Sequence, residues 1–382
     1  MEVYFQELAI LYRALEAGSQ PVLPSLSIQY ADYAAWDRQT RTEQSLREHL
    51  QFWKAKLQDI PPLLELPADH PRPAHQSFCG ATLRGKLSRA LCSGLRTIGT
   101  AQGATLSMVL LAGLSVLSHR QTGQERFLIG IPSLGRDRVE TESLLGFFVN
   151  ILPIRVDVSG NPSFEQLVQR IRIEVLEAFA HDSVPFERLV QELQIERSAS
   201  HSPLIQLALA PQPLHERDLQ LGALRVERID IESHRAAFDV TLYVWEDEAG
   251  CELCIEYNTD LFLRSTMERF LRQLQSLLEG AALAPQRSVS LLPLLSTEER
   301  QELQHKWSQG ERTLDGQRSF PELFAAQAKA TPDAIALVEC GGAGRAWSYA
   351  ELAKRANQLA RQLRSLGVGP EVLVALCTER SA

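Results

Sequence analysis

The sequence predicts an α/β chain of three units, the last set off by a linker. Three observations lead there. Strand-like and helix-like segments alternate from Ser88 to Leu278, the pattern of a layered α/β fold. Thr105–Ser118 is apolar nearly all round, as a helix enclosed by its neighbours is. From Glu279 to Ser319 the periodicity fades, and a new helix–strand–helix series then begins. The 382 residues allow two or three domains. With 45% hydrophobic and 23% charged residues the chain can bury a sizeable core, unlike a disordered or collagen-like one. The net charge of −8, with no basic block, argues against a nucleic-acid surface.

Tyr4, Leu8, Leu11 and Leu15 recur at helical spacing, so the chain opens inside a helix that Gly18 ends. Gln20–Pro24 is a loop, and Ile28–Trp36 is rich in aromatic residues. Leu46, Leu50, Trp53 and Leu57 mark a second amphipathic helix. Pro61, Pro62, Pro67, Pro71 and Pro73 exclude helix from 58–77, an extended crossing segment. Phe78–Leu87 alternates as a strand. Phe127–Ile131 and Phe147–Val158 are expected as central strands. Phe164, Leu167, Ile171, Val175 and Phe179 share one helix face. Ile205–Ala210, Phe238–Trp245 and Cys251–Tyr257 read as strands, and Leu263–Leu278 as a helix.

Beyond the linker the sequence predicts a helix at Pro321–Ala330, a strand at Ala334–Glu339 and a CGGAG turn. A short strand, Ala346–Tyr349, a helix over 349–366 and a strand at Glu371–Cys377 follow. Ser348 and Glu351 form a capping box, and Leu352, Ala356, Leu359, Leu363 and Leu366 share the helix's apolar face. An opening helix without its cap, and a final unit too short to close a core, predict that both outer domains continue beyond the chain. The longest apolar stretch, Met108–Leu117, falls short of the ~20 residues that span a bilayer. MEVYFQELAI has no signal-peptide pattern, and six thinly spread Cys fit a reducing cytoplasm.

Few clusters suggest chemistry on their own. Cys251-Glu-Leu-Cys254 has CxxC spacing, but positions three apart on a strand face opposite ways, so both thiols are expected unbonded and free of metal. His181-Asp182 reads either as a general base with its orienter or as a capping and packing turn stiffened by Pro185. His119 and His234 are isolated, with no metal spacing. Gly341, Gly342 and Gly344 precede a strand rather than a helix, so a hairpin turn is expected and not a phosphate cradle.

Seven motifs then follow one another in order. They are Tyr30-Ala-Asp32-Tyr-Ala-Ala-Trp36, Leu66-Pro-Ala-Asp-His-Pro-Arg-Pro73, Ile129-Gly-Ile-Pro-Ser-Leu-Gly-Arg136, Gly146-Phe147-Phe-Val-Asn150, His181-Asp-Ser-Val-Pro185-Phe186-Glu187, Arg197-Ser-Ala-Ser-His-Ser-Pro203-Leu204 and Tyr257-Asn-Thr-Asp-Leu-Phe262. Thr331-Pro-Asp-Ala334 and Trp347-Ser-Tyr-Ala-Glu-Leu352 come after them. The chain resembles a nonribosomal peptide synthetase: the later part of a condensation domain, then the start of an adenylation (AMP-binding) domain. It departs from the family pattern at Asp182 and Ser183, where Gln and Asp are usual. It departs again at Ser198, His201 and Ser202, where Asp, Arg and Asn are usual.

The resemblance implies a two-lobed, chloramphenicol-acetyltransferase-like (CoA-dependent acyltransferase-like) fold. Residues 1–87 would be a remnant of the N-terminal lobe with the crossing segment, and 88–295 the C-terminal lobe. Residues 296–318 would be a linker, and 319–382 an adenylation-domain fragment. It implies peptide-bond formation between carrier-bound thioesters, with a lean toward L-donors and L-acceptors. The partners would be carrier domains bearing phosphopantetheine and the rest of the synthetase, with no nucleic acid or membrane partner. No cofactor would be bound by this chain, and ATP with Mg would serve only a complete adenylation domain. No HHxxxDG occurs in the sequence. The alignment implies that it lies upstream of Met1, so no catalytic residue is expected in this chain and the fragment is expected to be inactive alone. A decayed module or docking fragment is the alternative. By resemblance, Arg136 pairs with the Asp of HHxxxDG; otherwise it is an exposed surface Arg. Asn150 is either a tunnel hydrogen-bonder or an ordinary buried strand amide. Tyr30 and Trp36 are expected to pack rather than to touch substrate.

Overall fold

The structure is a computed structural model. It describes all residues except 1, 62, 137, 196–197, 213–220, 222–223, 225, 227–232, 248, 308–318, 340–344 and 378–382, and the backbone alone at 2 and 306–307. The chain forms two units, residues 1–303 and 304–382.

The first unit opens with α1 (Glu2–Glu16), α2 (Tyr30–Thr40) and α3 (Glu43–Leu57). In α3 the four predicted positions, Leu46, Leu50, Trp53 and Leu57, are all buried. The chain then enters a sheet through β1 (Gly80–Ser88), α4 (Arg89–Ala101), α5 (Leu106–Thr122), β2 (Arg126–Ser133), a short α6 (Val139–Glu142) and β3 (Asn150–Asp157). Next come α7 (Phe164–Ala180), α8 (Phe186–Glu192), β4 (Leu207–Gln212), β5 (Val240–Asp247), β6 (Gly250–Asn258) and α9 (Arg264–Leu283). A last short helix, α10 (Thr297–Gln301), precedes the second unit.

The six strands lie in the order β1-β6-β5-β4-β2-β3. β4 is parallel to both β2 and β5, and the other pairs are antiparallel. β2 and β3 share this sheet as predicted, with Phe127 opposite Val156 and Ser133 opposite Asn150. β3 is a terminal strand rather than a central one, and it starts at Asn150 rather than Phe147. It reads as apolar because α7 covers it. Helices α4, α5, α7 and α9 form a contiguous layer on the sheet. Val109–Ser118 of α5 is buried on every side, so the uniform apolar run was the signature of the centre of this layer. Its buried Ser115 and Ser118 return their hydroxyls to Leu111 and Leu114 carbonyls at 2.7 and 2.9 Å. Phe179, expected on the buried face of α7, is half exposed; Ala178 takes the buried position.

β1 pairs with β6 along its whole length, so residues 80–88 are part of the six-stranded sheet. At the other end, Val289 and Leu292 pack into the core, so the segment from Glu279 that faded in periodicity is still structural.

The proline-rich crossing is pinned at three points. The Leu64 amide donates to Gln206 Oε1 at 2.8 Å. Asp69 accepts from Leu263 N and Thr266 Oγ1, both at 2.8 Å, and so caps α9, whose own N-cap residue is a leucine. The Leu263 amide holds the Asp69 carboxyl below its usual pKa. Arg72 makes a two-pronged contact with Asp239, whose side chain is 2% exposed; one prong measures 2.9 Å. Arg72→Ala should leave a buried carboxylate unpaired and lower unfolding stability by roughly 2–3 kcal/mol, since Arg72 itself is partly solvated. Urea titration of the variant checks this, and an unchanged midpoint contradicts it.

The second unit holds α11 (Phe320–Ala330), an antiparallel pair β7 (Ile335–Val338) and β8 (Ala346–Ser348), and α12 (Tyr349–Ser365). The predicted capping box of α12 is present. Its apolar face is not covered: Leu359 and Leu366 are exposed. Glu371–Cys377, read as a strand, is in none, and Leu373 and Leu376 face solvent. A strand needs a neighbour to take its backbone groups, and no pairing is made there among the described residues. The predicted turn at Gly341, Gly342 and Gly344 lies outside the described residues. No single helix among the described residues is long and apolar enough to cross a membrane; α4 and α5 qualify only together, and they meet at 101°.

Candidate functional site

Three of the seven motifs converge where β2 ends and β3 begins. Segment 134–149 connects the two strands, and the turn 181–185 between α7 and α8 lies against both ends. Asn150 ties these together. Its Nδ2 donates to Asp182 O (3.0 Å), Asp182 Oδ1 (2.9 Å) and Val184 O (2.9 Å). Its Oδ1 accepts from the amides of Ile151 (2.9 Å) and Phe186 (3.1 Å). Ser133 Oγ donates to the other oxygen of Asp182. Every polar atom of the half-buried Asn150 amide is thus engaged within the protein. Ser183 Oγ is buried with no partner.

Helix α2 stands on segment 134–149. Tyr30 donates its hydroxyl to Phe147 O at 2.8 Å, and its ring meets Phe148 edge-on at 5.2 Å. A Cβ at Gly146 would come within 2.1 Å of the Tyr30 ring, so only glycine admits this contact. Asp32 acts locally: its carboxylate accepts from Gln29 N at 2.8 Å and caps α2. Arg138 lies over the Trp36 ring at 4.3 Å. Arg136 lies over Phe148 at 4.3 Å and donates to the carbonyls of Thr141 and, at 3.3 Å, Glu142. It is half buried, not the free surface arginine of the alternative reading. Phe147 itself is exposed.

Helix α3 closes the other side. Its Trp53 Nε1 donates to His181 O at 3.1 Å, Phe52 stacks on the His181 ring at 3.7 Å, and His49 and His181 meet through Nδ1 atoms 2.9 Å apart. Lys56 reaches Glu174, at 2.6 Å, and Glu177 on α7. The Asp182 carboxylate points to Ser133 and Asn150 rather than to the His181 ring. Pro185 is the N-cap residue of α8, and Phe186 and Glu187 begin it. Pro203 lies away from this cluster, in the turn before β4, where its carbonyl accepts from Ile205 N at 2.7 Å. Arg197 lies outside the described residues.

Burial holds the His181 imidazole below its ordinary pKa; His49 and Lys56 add to this, and Glu177 opposes it. A histidine kept neutral by the fold contributes stability at neutral pH. That stability is lost as pH falls through the unfolded value, about 6.5, where the unfolded chain takes up the proton first. The urea midpoint should therefore drop between pH 7.5 and 5.5. It should vary less with pH in His181→Gln, and an equal slope in both proteins contradicts the assignment.

Between α2, α3, segment 147–151 and α8 lies a cleft of about 670 Å³. Asp182 and Asn150 form part of its wall, and the His181 ring does not. Two ion pairs lie at its rim: Asp37 with Arg41 at 2.7 Å and Arg188 with Glu192 at 2.7 Å. No cluster of three or more metal-ligating side chains occurs among the described residues.

The Condensation domain family model matches residues 1–304, and the AMP-binding enzyme model matches 324–382. The chain belongs to the condensation-domain family of nonribosomal peptide synthetases. It is 40% identical over its full length to the phosphinothricin tripeptide synthetase PhsB of Streptomyces viridochromogenes, of which it spans 32%. It is 38% identical to the chondramide synthase cmdD of Chondromyces crocatus over 99% of its own length and 10% of that synthase. The chain thus spans a third or less of the curated relatives it matches here. Among solved structures, the X-domain in its complex with OxyB from teicoplanin biosynthesis is 31% identical, with a TM-score of 0.69 over 78% of this chain and 67% of that one. The four-domain synthetase holo-AB3403 shares the fold at 24% identity, with a TM-score of 0.75 over 95% of this chain and 28% of that one. The fold is thus the CoA-acyltransferase-like one. In this condensation domain the PSLGR and GFFVN motifs are the two ends of one loop, and the HDSVPFE motif is the turn that holds them together. Sequence reading missed His49, Ser133, Thr141 and Phe148 as partners. His49 falls between Leu46 and Leu50 on the buried side of α3, a signal periodicity offered.

Proposed function

We propose that residues 1–303 are the later part of a condensation domain that joins two carrier-bound thioesters by an amide bond, within a synthetase whose next domain activates an amino acid. The observation supporting it most is the convergence of three family motifs on one cleft wall, with the start of an AMP-binding domain following in the same chain. In the reaction the acceptor amine attacks the donor thioester carbonyl. The C–N bond forms, the C–S bond breaks, and the amine proton ends on the departing thiol. Donor and acceptor are tethered to phosphopantetheine on partner carrier domains in the cytoplasm. Proton handling falls to a histidine of HHxxxDG, a motif absent from residues 1–382. This chain supplies a positioned wall. Asn150 fixes the loop ends, and Phe148 with the Thr141 carbonyl holds the Arg136 cation to meet the motif's aspartate.

Among the described residues of 324–382, Arg345 and Arg355 sit on the Trp347 ring at 4.2 and 3.9 Å.

The test extends the chain at its N-terminus with a segment bearing HHxxxDG and supplies carrier-bound donor and acceptor. Amide product is expected, and His→Ala at the second histidine of the motif should abolish it. A folded extended protein that makes no product, or makes it equally without that histidine, overturns the proposal. One observation favours a second reading. The similar X-domain was solved in complex with OxyB, so a domain of this fold can present a docking surface, and failure of a folded extended protein would favour that role.

A further inference from the structure

Cys92 and Cys251 lie away from the cleft and are not used by the proposed chemistry. Cys92 stands at the start of α4 and Cys251 is the second residue of β6. Their sulfurs are 3.2 Å apart, and the two residues are 0% and 3% exposed. One turn further along α4, Arg96 bonds Glu246, the strand neighbour of Cys251, at 2.6 Å. This ion pair lies beside the two sulfurs on the same helix–sheet interface. The Cys251 contact, aided by Arg96, draws the Cys92 thiol below its ordinary pKa; the same contact, with burial, pushes Cys251 up. Arg96, one turn along α4 from Cys92, sets a cation beside the sulfur that attacks, and Cys251 is the resolving sulfur.

We propose that Cys92 and Cys251 form a peroxide-responsive pair that closes into a reversible disulfide latching α4 to β6. The Cys92 thiolate attacks one oxygen of hydrogen peroxide. The O–O bond breaks, hydroxide leaves, and Cys92 becomes a sulfenic acid. The Cys251 sulfur then attacks the Cys92 sulfur, and the hydroxyl leaves with the Cys251 proton as water. Counting the proton that hydroxide regains, two thiols and one peroxide give one disulfide and two waters. The sulfurs must close by roughly 1 Å to reach bonding distance. Burial selects a small oxidant over a bulky disulfide such as oxidised glutathione. The pair lies near the β1 edge of the sheet, and the cleft lies at the β3 edge, so the latch acts on stability and leaves the cleft wall in place. It would close a loop across 159 residues of sequence, a large restriction on the unfolded chain.

The test treats the purified 382-residue chain with hydrogen peroxide, blocks remaining thiols with N-ethylmaleimide, and maps peptides without reduction. A Cys92–Cys251 cross-linked peptide, two hydrogens lighter than its parts and released by dithiothreitol, is expected. The oxidised protein should melt roughly 5 °C higher or more, reversibly, with no such rise in Cys92→Ser. Sulfinic acid at Cys92 without a cross-link overturns the proposal. So does linkage of either cysteine to a different one, or full maleimide labelling of both after peroxide. The mapping uses the unaltered chain, so it stands even where the variant folds poorly.

Discussion

Purified and supplied with donor- and acceptor-loaded carrier domains, the 382-residue chain should form amide no faster than the same mixture without it. The attacking amine must shed a proton, and a positioned acid–base group contributes about 10²–10⁴-fold to such a step. Among the described residues, three groups at or beside the cleft that could be asked to do that work are already engaged. Asp182 is held by Ser133 and Asn150. Arg136 is a donor bound to the Thr141 carbonyl and Phe148. The His181 ring is stacked on Phe52 and bonded to His49, off the wall. Without the segment that carries HHxxxDG, the second reactant also lacks a surface to be held against, and the effective-concentration advantage is lost with it. The two losses together bring the rate to background. Product clearly above the control would show that residues 1–382 contain their own base, and His181→Ala would be the first variant to make.

How far the sequence disclosed this molecule depended on whether apolar residues were there to be buried. Helix α3 and β2 were legible because each apolar position met a neighbour. Helix α2 showed no such period: it buries no residue, and it is held instead by the Asp32 cap and by rings resting on segment 134–149. Phe147 and Val149 alternate like a strand yet face outward, because composition does not reveal which apolar side chains lack a cover. Glu371–Cys377 misled in the same way. At the cleft, the motifs marked the right segments, but the contacts join residues far apart in sequence. Tyr30 reaches Phe147 across 117 positions, and His49 reaches His181 across 132. Periodicity within one segment carries no information about such pairs.

Asn150 is where a positioning role and a substrate-contact role part most clearly. Asn150→Ala removes the acceptor for two backbone amides and the donor for two carbonyls and a carboxylate, in a partly buried site on the cleft wall. Each unmet group costs about 1 kcal/mol where water cannot replace the partner, so a loss of roughly 2–3 kcal/mol in unfolding stability is expected. Asn150→Asp keeps an oxygen for the Ile151 and Phe186 amides but sets a second carboxylate against Asp182. It should be destabilising at pH 7 and partly rescued by a further Asp182→Asn change, which removes the repulsion. Urea titration of the three proteins gives these values, and the rescue is a coupling that a solvent-facing tunnel amide would not show. If Asn150→Ala instead leaves the midpoint unchanged, while in the extended protein it lowers amide formation through KM alone, Asn150 contacts substrate and the wall is held by Ser133 and Asp182 without it.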